Sequence, residues 1–235
     1  VVDSILLYVS LFVAIVGVIA LGPKRTRATA GPVIIAAVLI AAIVLLWPVR
    51  TKSVKTPATR LDVVMPVWQF DEIHTLTVDA PPERVFEAIR AVRAGEIRFF
   101  RTLVAIRRGG RPGPESILNA PENKPILDVA TETTFDLVVS DPPHELVLHT
   151  VVIPPDRGLA AMNFLVEPDG RGGSIVSTQT RVNAIGNDAQ RRFAIYWRII
   201  HPGSDIIRRS WLKAVKRRAE AASRIPPPPT PPSPR

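Results

Sequence analysis

The 235-residue chain contains no cysteine. That absence excludes disulfides, thiolate metal sites and a cysteine nucleophile together. It fits a reducing compartment, although many exported proteins also lack cysteine. Acids are almost missing from the first fifty residues, where Asp3 stands alone. Metal-ligand spacing is missing as well. The four histidines, His74, His144, His149 and His201, form no His-x-x-x-His pair and no Glu-His cluster, so neither a metal nor any other cofactor is expected. Ser174, Ser177 and Ser204 lack the strained Gly-x-Ser-x-Gly context of a hydrolase nucleophile. No glycine-rich loop precedes a helix in the phosphate-cradling manner, and Gly170–Gly173 falls in a hairpin.

What the chain does have is positive charge, +9 overall with an isoelectric point near 10.7. Nucleic acid and an anionic membrane surface are the two partners such a balance suggests. Two uncharged runs bear on the choice: ILLYVSLFVAIVGVIAL (5–21) and VIIAAVLIAAIVLLW (33–47). Each approaches the roughly 20 apolar residues that cross a bilayer once its flanking residues are counted. Pro32 suits a first helical turn and Trp47 an interfacial belt. A cleaved signal peptide is the competing reading, since Ala28-Thr29-Ala30 resembles a cleavage site. However, Lys24, Arg25 and Arg27 follow the first run instead of preceding it. A buried core helix is the other alternative. Residues 1–49 therefore read as a two-helix transmembrane hairpin in an integral membrane protein of bacterial inner-membrane type. Arg50, Lys52, Lys55 and Arg60 outnumber the loop cations, which puts both ends and the soluble domain on the cytoplasmic side. Residues 50–70, punctuated by Pro57 and Pro66, read as a linker.

From Asp71 the period changes. DEIHTLTVDA alternates as a strand, with His74, Leu76 and Val78 on one face and Ile73, Thr75 and Thr77 on the other. Asp79 offers a cap, Pro81 and Pro82 fit a first helical turn, and Val85, Phe86, Ile89 and Val92 recur at helical spacing. The strand thus turns into a helix at Ala-Pro-Pro. A second helix is expected over 95–108, with short turns at Ser116–Asn119 and Pro125–Ala130. Strands are expected over 133–140, with Phe135, Leu137 and Val139 on one face, and over 144–153, 160–166 and 174–185. The end of the domain is helical, and Pro202-Gly203 should kink or break that helix. Residues 224–235, mostly proline, read as a disordered tail.

Strand, helices, antiparallel strands and a long closing helix form an α+β order, and residues 71–223 resemble the START-like helix-grip superfamily. This is the SRPBCC group of polyketide cyclases/dehydrases and lipid-transport proteins. The corner Val78, Ala80, Pro81, Val85, Phe86 carries the resemblance most clearly. The resemblance implies a curved antiparallel sheet gripping the last helix, with an elongated apolar cavity between them for a lipid or other hydrophobic small molecule. It also implies about seven strands, more than the alternation shows.

Within that frame His74 is the candidate ligand-orienting or acid/base residue. A lone histidine near a strand start is also commonly just hydrogen-bonded structure. Leu76, Phe135, Leu148, Met162, Phe164, Tyr196 and Trp197 are candidate lining residues, and each serves equally well as plain core. Arg181 reads by default as a solvated strand residue, with a buried acid or a ligand headgroup as the alternative partner. Arg208, Arg209, Lys213, Lys216 and Arg217 form a basic stretch suited to a membrane surface. No helix-turn-helix or aromatic-basic platform accompanies it, so nucleic acid is not expected. The readings left open are a membrane-tethered domain binding a lipid or hydrophobic molecule, a cyclase/dehydratase-like enzyme using His74, and a non-enzymatic interaction or signalling module.

Overall fold

The computed structural model describes residues 2–152 and 158–223. Ile153, assigned above to a strand, and the proline-rich tail expected over 224–235 lie outside the described residues.

Helices α1 (Val2–Ala20) and α2 (Arg27–Leu46) pack against each other as a hairpin. Small residues allow the approach: α1 buries Ser4, Ser10 and Gly17 beside Leu7, and α2 buries Ala30, Ala37 and Ala41 beside Val44. A Cβ on Gly17 would lie 2.6 Å from Ile34 Cγ1, so the packing depends on glycine there. The large apolar side chains point the other way, with Phe12 66%, Ile19 72% and Leu46 79% exposed. In the connecting loop Thr26 Oγ1 and Arg27 Nε donate to the carbonyls of Ala20 and Leu21, which the end of α1 leaves without helical partners.

The stretch 50–70, expected as a linker, is folded. It forms β1 (Lys52–Ser53), α3 (Arg60–Val64) and β2 (Val67–Trp68), with β1 and β2 antiparallel. Thr59 and Asp62 cap the start of α3 reciprocally. The physical reason for its folding is burial. Leu61, Met65 and Trp68 pack onto Val147 and Ala161, on the face of the main sheet that points away from the long closing helix.

The main sheet contains β3 (Phe70–Val78), β4 (Asp136–Asp141), β5 (Glu145–Val151), β6 (Gly158–Pro168) and β7 (Ser174–Ala184). All neighbours are antiparallel, in the order β3-β7-β6-β5-β4. These are the five strands read from the alternation. In β4 a bulge sets Leu137 opposite Leu148 but Val139 opposite Val147, so Leu137 and Val139 face opposite sides instead of sharing one. Phe135 precedes the strand.

At the corner after β3, α4 (Pro82–Ala91) starts with Pro82 in its first turn. Asp79 does not cap it; the Asp79 backbone N–H instead donates to Glu220 Oε1 at 2.9 Å. Val85, Phe86, Ile89 and Val92 are buried as the spacing requires. The helix expected over 95–108 is split. A 3₁₀ turn, Ala94–Glu96, precedes α5 (Phe100–Arg107), and Phe99 between them takes a left-handed φ of 64°. Helix α6 (Ile126–Thr133) follows.

Helix α7 (Asn187–Ser223) runs 37 residues through Pro202 without a break. Proline here removes one hydrogen bond, to the Arg198 carbonyl. Packing on both sides outweighs that loss: Phe193 and Ala194 are buried before it, and Trp211, Leu212 and Val215 after it. The second half of α7 closes the main core with α4 and the inner faces of β5, β6 and β7. Phe164 and Trp211 meet there with ring centroids 5.1 Å apart. The first half forms a smaller cluster with Phe70, Ala160 and Val182, and it also meets the hairpin. There Tyr8 Oη donates to the Ile199 carbonyl at 2.7 Å, and Arg198 donates to the carbonyls of Leu45 and Trp47 at 3.1 and 2.9 Å. An antiparallel sheet wrapped on a long C-terminal helix is the helix-grip arrangement, and this α+β fold resembles it.

Candidate functional site

Strand β3 turns every second side chain towards α7: Phe70, Glu72, His74, Leu76 and Val78. Helix α7 answers with His201, Ser204, Asp205 and Arg208, whose spacing puts them on one helical face. The result is a polar cluster inside the grip. Ser204 Oγ donates to Glu72 Oε1 at 2.7 Å, and Arg208 Nε lies 3.5 Å from the same oxygen. The other carboxylate oxygen, Oε2, faces His201 Nε2 at 3.7 Å, too far for a hydrogen bond. His74 Nε2 lies 3.7 Å from Asp205 Oδ1. Arg208 reaches past Glu72 into the core, where both Nη atoms lie 3.2 Å from Met162 Sδ, a weak acceptor.

Four buried polar atoms around this cluster have no hydrogen-bond partner among the described residues: Glu72 Oε2, His74 Nε2, Thr180 Oγ1 and Trp211 Nε1. Thr180 sits directly opposite both Glu72 and Met162 in the sheet. Buried polar groups are nearly always satisfied, because stranding one costs about 1–3 kcal/mol. Trp68 Nε1 and Arg181 Nε, on the other face of the sheet, also lack a partner among the described residues.

Burial governs the protonation of the cluster. Desolvation raises the Glu72 carboxyl above its ordinary value, against the opposing charge of Arg208. Desolvation likewise lowers His74, against the pull of Asp205, and it lowers His201. Asp205 is pushed up by burial, but its hydrogen bond to Arg209 and that cation's charge hold it below the usual range. Both histidines are therefore neutral near pH 7, each with a nitrogen free to accept or donate. The cluster suits recognition of a hydroxyl, carbonyl or carboxyl group. No group of three or more His, Asp or Glu residues at metal-holding distance occurs among the described residues.

The expected site residues separate into two groups. Leu148, Met162 and Phe164 are fully buried in the main core, and Leu76 and Phe135 pack half-buried against it. Tyr196 and Trp197 belong instead to the cluster with Phe70 and Phe193, at the hairpin end of α7. His74 stands on the main-core side of Glu72 and is buried. Arg208 does not belong to a membrane surface. Its side chain is only 13% exposed and turns inward, because Glu72 supplies the one carboxylate able to accompany it there. Arg209, Lys213 and Arg217 are exposed. Arg209 pairs with Asp205, Lys216 donates to the Thr77 carbonyl at 2.7 Å, and Arg217 donates to the Glu96 carbonyl at 2.8 Å.

Sequence reasoning passed over Glu72, His201, Ser204 and Asp205. The available signal was the coincidence of an acid on the inward register of β3 with a polar i, i+3, i+4, i+7 stripe on α7. Arg181 is not solvated. It pairs with Asp62 at 2.6 Å and lies 3.9 Å above the Trp68 ring, on the opposite face of the sheet.

No protein-family model and no curated protein matches this chain. Among solved structures it is similar to the di-domain ARO/CYC StfQ from the steffimycin biosynthetic pathway, at 12% identity and a TM-score of 0.38 over 87% of this chain. It is also similar to the di-domain ARO/CYC BexL from the BE-7585A pathway, at 14% identity and a TM-score of 0.35 over 84% of this chain. The chain spans 63% and 59% of those two proteins. CalU16 from Micromonospora echinospora matches at 13% identity and a TM-score of 0.30, over 75% of this chain and 95% of that one. Likenesses this distant add nothing about activity or ligand.

Proposed function

We propose that this protein is a membrane-anchored binding domain that holds a lipid or other hydrophobic small molecule between sheet and closing helix. The observation that carries the reading is the set of stranded polar atoms at Glu72, His74, Thr180 and Trp211 inside an otherwise apolar interior. An amphiphile would satisfy them with its polar end, with Arg208 as the adjoining cation. Its apolar part would lie along Leu148, Met162 and Phe164, and would reach the edge at Leu137, which faces inward yet is 47% exposed. The anchor reading rests on the hairpin. Both helices are long and apolar enough to cross a bilayer, and only 22% of each apolar window is buried, little for a core helix. Anchoring would hold the domain against the bacterial inner membrane, on the cytoplasmic face by the distribution of lysine and arginine.

Native mass spectrometry of the full chain, released gently from membranes, tests this reading. A stoichiometric small-molecule adduct that weakens in Glu72→Gln and in Thr180→Val supports it. Adducts that are only annular lipid and insensitive to both substitutions overturn it, and then favour an interaction module. The acid/base alternative draws on the His74–Asp205 approach and the raised Glu72. Under it, His74→Ala abolishes turnover of a bound substrate while the fold survives.

A further inference from the structure

A cavity of about 280 Å³ lies where the hairpin joins the domain. Asp3 and Ser4 at the start of α1, Trp47 to Arg50 after α2, Lys52, Phe70 and Asp71, and Trp197 and Arg198 of α7 line it. Its position follows from the chain. Both helices reach their domain-side ends here, so if they cross a bilayer this cavity stands at headgroup level.

Its charge is unevenly balanced. Lys52 is neutralised by Asp71 at 2.5 Å. Arg198 is 5% exposed and carries its charge into the wall of the cavity. Its two Nη atoms are committed to the neutral carbonyls of Leu45 and Trp47. Its Nε is buried with no hydrogen-bond partner, and the carboxylate of Asp3, itself about half exposed, stands 3.7 Å away. Arg50 lines the same cavity, is exposed, and makes no ion pair among the described residues. One free cation, Arg50, a buried arginine offset only by half-exposed Asp3, and an indole at the end of an apolar helix together suit a phosphodiester monoanion with acyl chains. Beside the cavity the outward-facing Ile43 and Leu46 of α2, 55% and 79% exposed, continue as an apolar track for those chains.

We infer that this cavity is a headgroup site for an anionic phospholipid, its phosphate received by Arg50 beside the Arg198–Asp3 pair. The inference rests on the anchor reading and is independent of any ligand in the grip. Bound there, the lipid would tie the start of α1, the end of α2 and the first half of α7 into one unit.

The test places the full chain in nanodiscs of phosphatidylcholine alone or mixed with phosphatidylglycerol, and reads retained lipid by native mass spectrometry. Phosphatidylglycerol should be retained selectively, and Arg50→Gln should weaken its retention about tenfold, the effect of one charge-assisted hydrogen bond. Arg171→Gln, on an exposed hairpin turn, should leave it unchanged. Equal retention of the two lipids, or indifference to Arg50→Gln, overturns the site. Displacement by millimolar inorganic phosphate alone would assign the cavity to a soluble phosphate and overturn the lipid. Because the chain has no cysteine, an I40C variant reports the anchor separately. A thiol shielded from water-soluble maleimide, together with no lipid preference, sinks the headgroup site only. A freely labelled thiol sinks the anchor beneath it.

Discussion

The two faces of the main sheet both bury carboxylates and arginines, but they treat them differently. On the outer face, Glu145 accepts from the backbone of Arg60 and Leu61 and from Asn163 Nδ2, at 2.7, 3.2 and 2.7 Å. Asp62 accepts from the backbone of Ala58 and Thr59 and from Arg181. Both oxygens of each carboxylate are used, and Asp62 is held below its ordinary value: burial would raise it, but the backbone hydrogen bonds and Arg181 outweigh that. On the inner face, Glu72 has one oxygen occupied and one stranded, and its carboxyl is raised. The carboxylates are fully hydrogen-bonded on one side and half-satisfied on the other. The difference lies in backbone donors. Strap α3 brings its helix-start N–H groups to the outer acids, whereas mid-helix α7 has none to spare for Glu72.

The strongest way to break this comparison is to strip one partner from each face. Arg181→Met strands Asp62 and should cost about 3–5 kcal/mol, read as a lowered midpoint in chemical or thermal unfolding. The paired inner change, Glu72→Gln with Arg208→Met, removes a pair whose desolvation is poorly repaid. It should stay within about 1 kcal/mol of the parent while ligand retention collapses. Equal losses on the two faces would erase the distinction.

Acid should separate the faces next. His74 and His201 are held below their ordinary 6.5, so just below that pH the unfolded chain binds more protons than the folded one. Stability should therefore fall as pH drops from 6.5, by about 1.4 kcal/mol per unit of each histidine's displacement. Glu72 acts in the opposite sense. Between 4.5 and its raised value the folded state holds the extra proton, so acidification through that window favours folding. The Asp62 contribution persists down to about its ordinary 3.8 and is lost below it. Hydrogen exchange at pH 5.5 should show β3 and α7 opening faster than at pH 7.5 while α3 stays protected; uniform loosening would contradict the contrast.

The smallest effect sharpens it. Thr180→Val removes a hydroxyl that bonds nothing and should be neutral or slightly stabilising. Thr178→Val, two residues away on the same strand, loses a 2.8 Å bond to the Asn163 carbonyl and should cost about 1 kcal/mol in the same melt.

Much of the fold was legible because it is local. Alternation from Ile73 to Val78 and helical spacing from Val85 to Val92 needed no distant partner to be read. Pro202 did not break α7: local chemistry sees the missing hydrogen bond but not the aromatic packing on either side of it. Strap α3 was hidden because Leu61, Met65 and Trp68 make sense only against Val147 and Ala161. Arg208 was misplaced for the same reason: on its own helix it is one cation among many, and only Glu72, far earlier in the chain, turns it inward.

The sequence by itself determined most elements of this protein: two apolar helices, a strand-to-helix corner at Ala-Pro-Pro, a meander of strands and a long final helix. Period and turn residues act over a few positions, and they were enough for these elements but not for the strap at 50–70 or the split over 95–108. Tertiary structure alone decided which polar residues are satisfied and which are left waiting. That outcome depends on donors and acceptors brought together across the whole chain, and no window of sequence contains both partners.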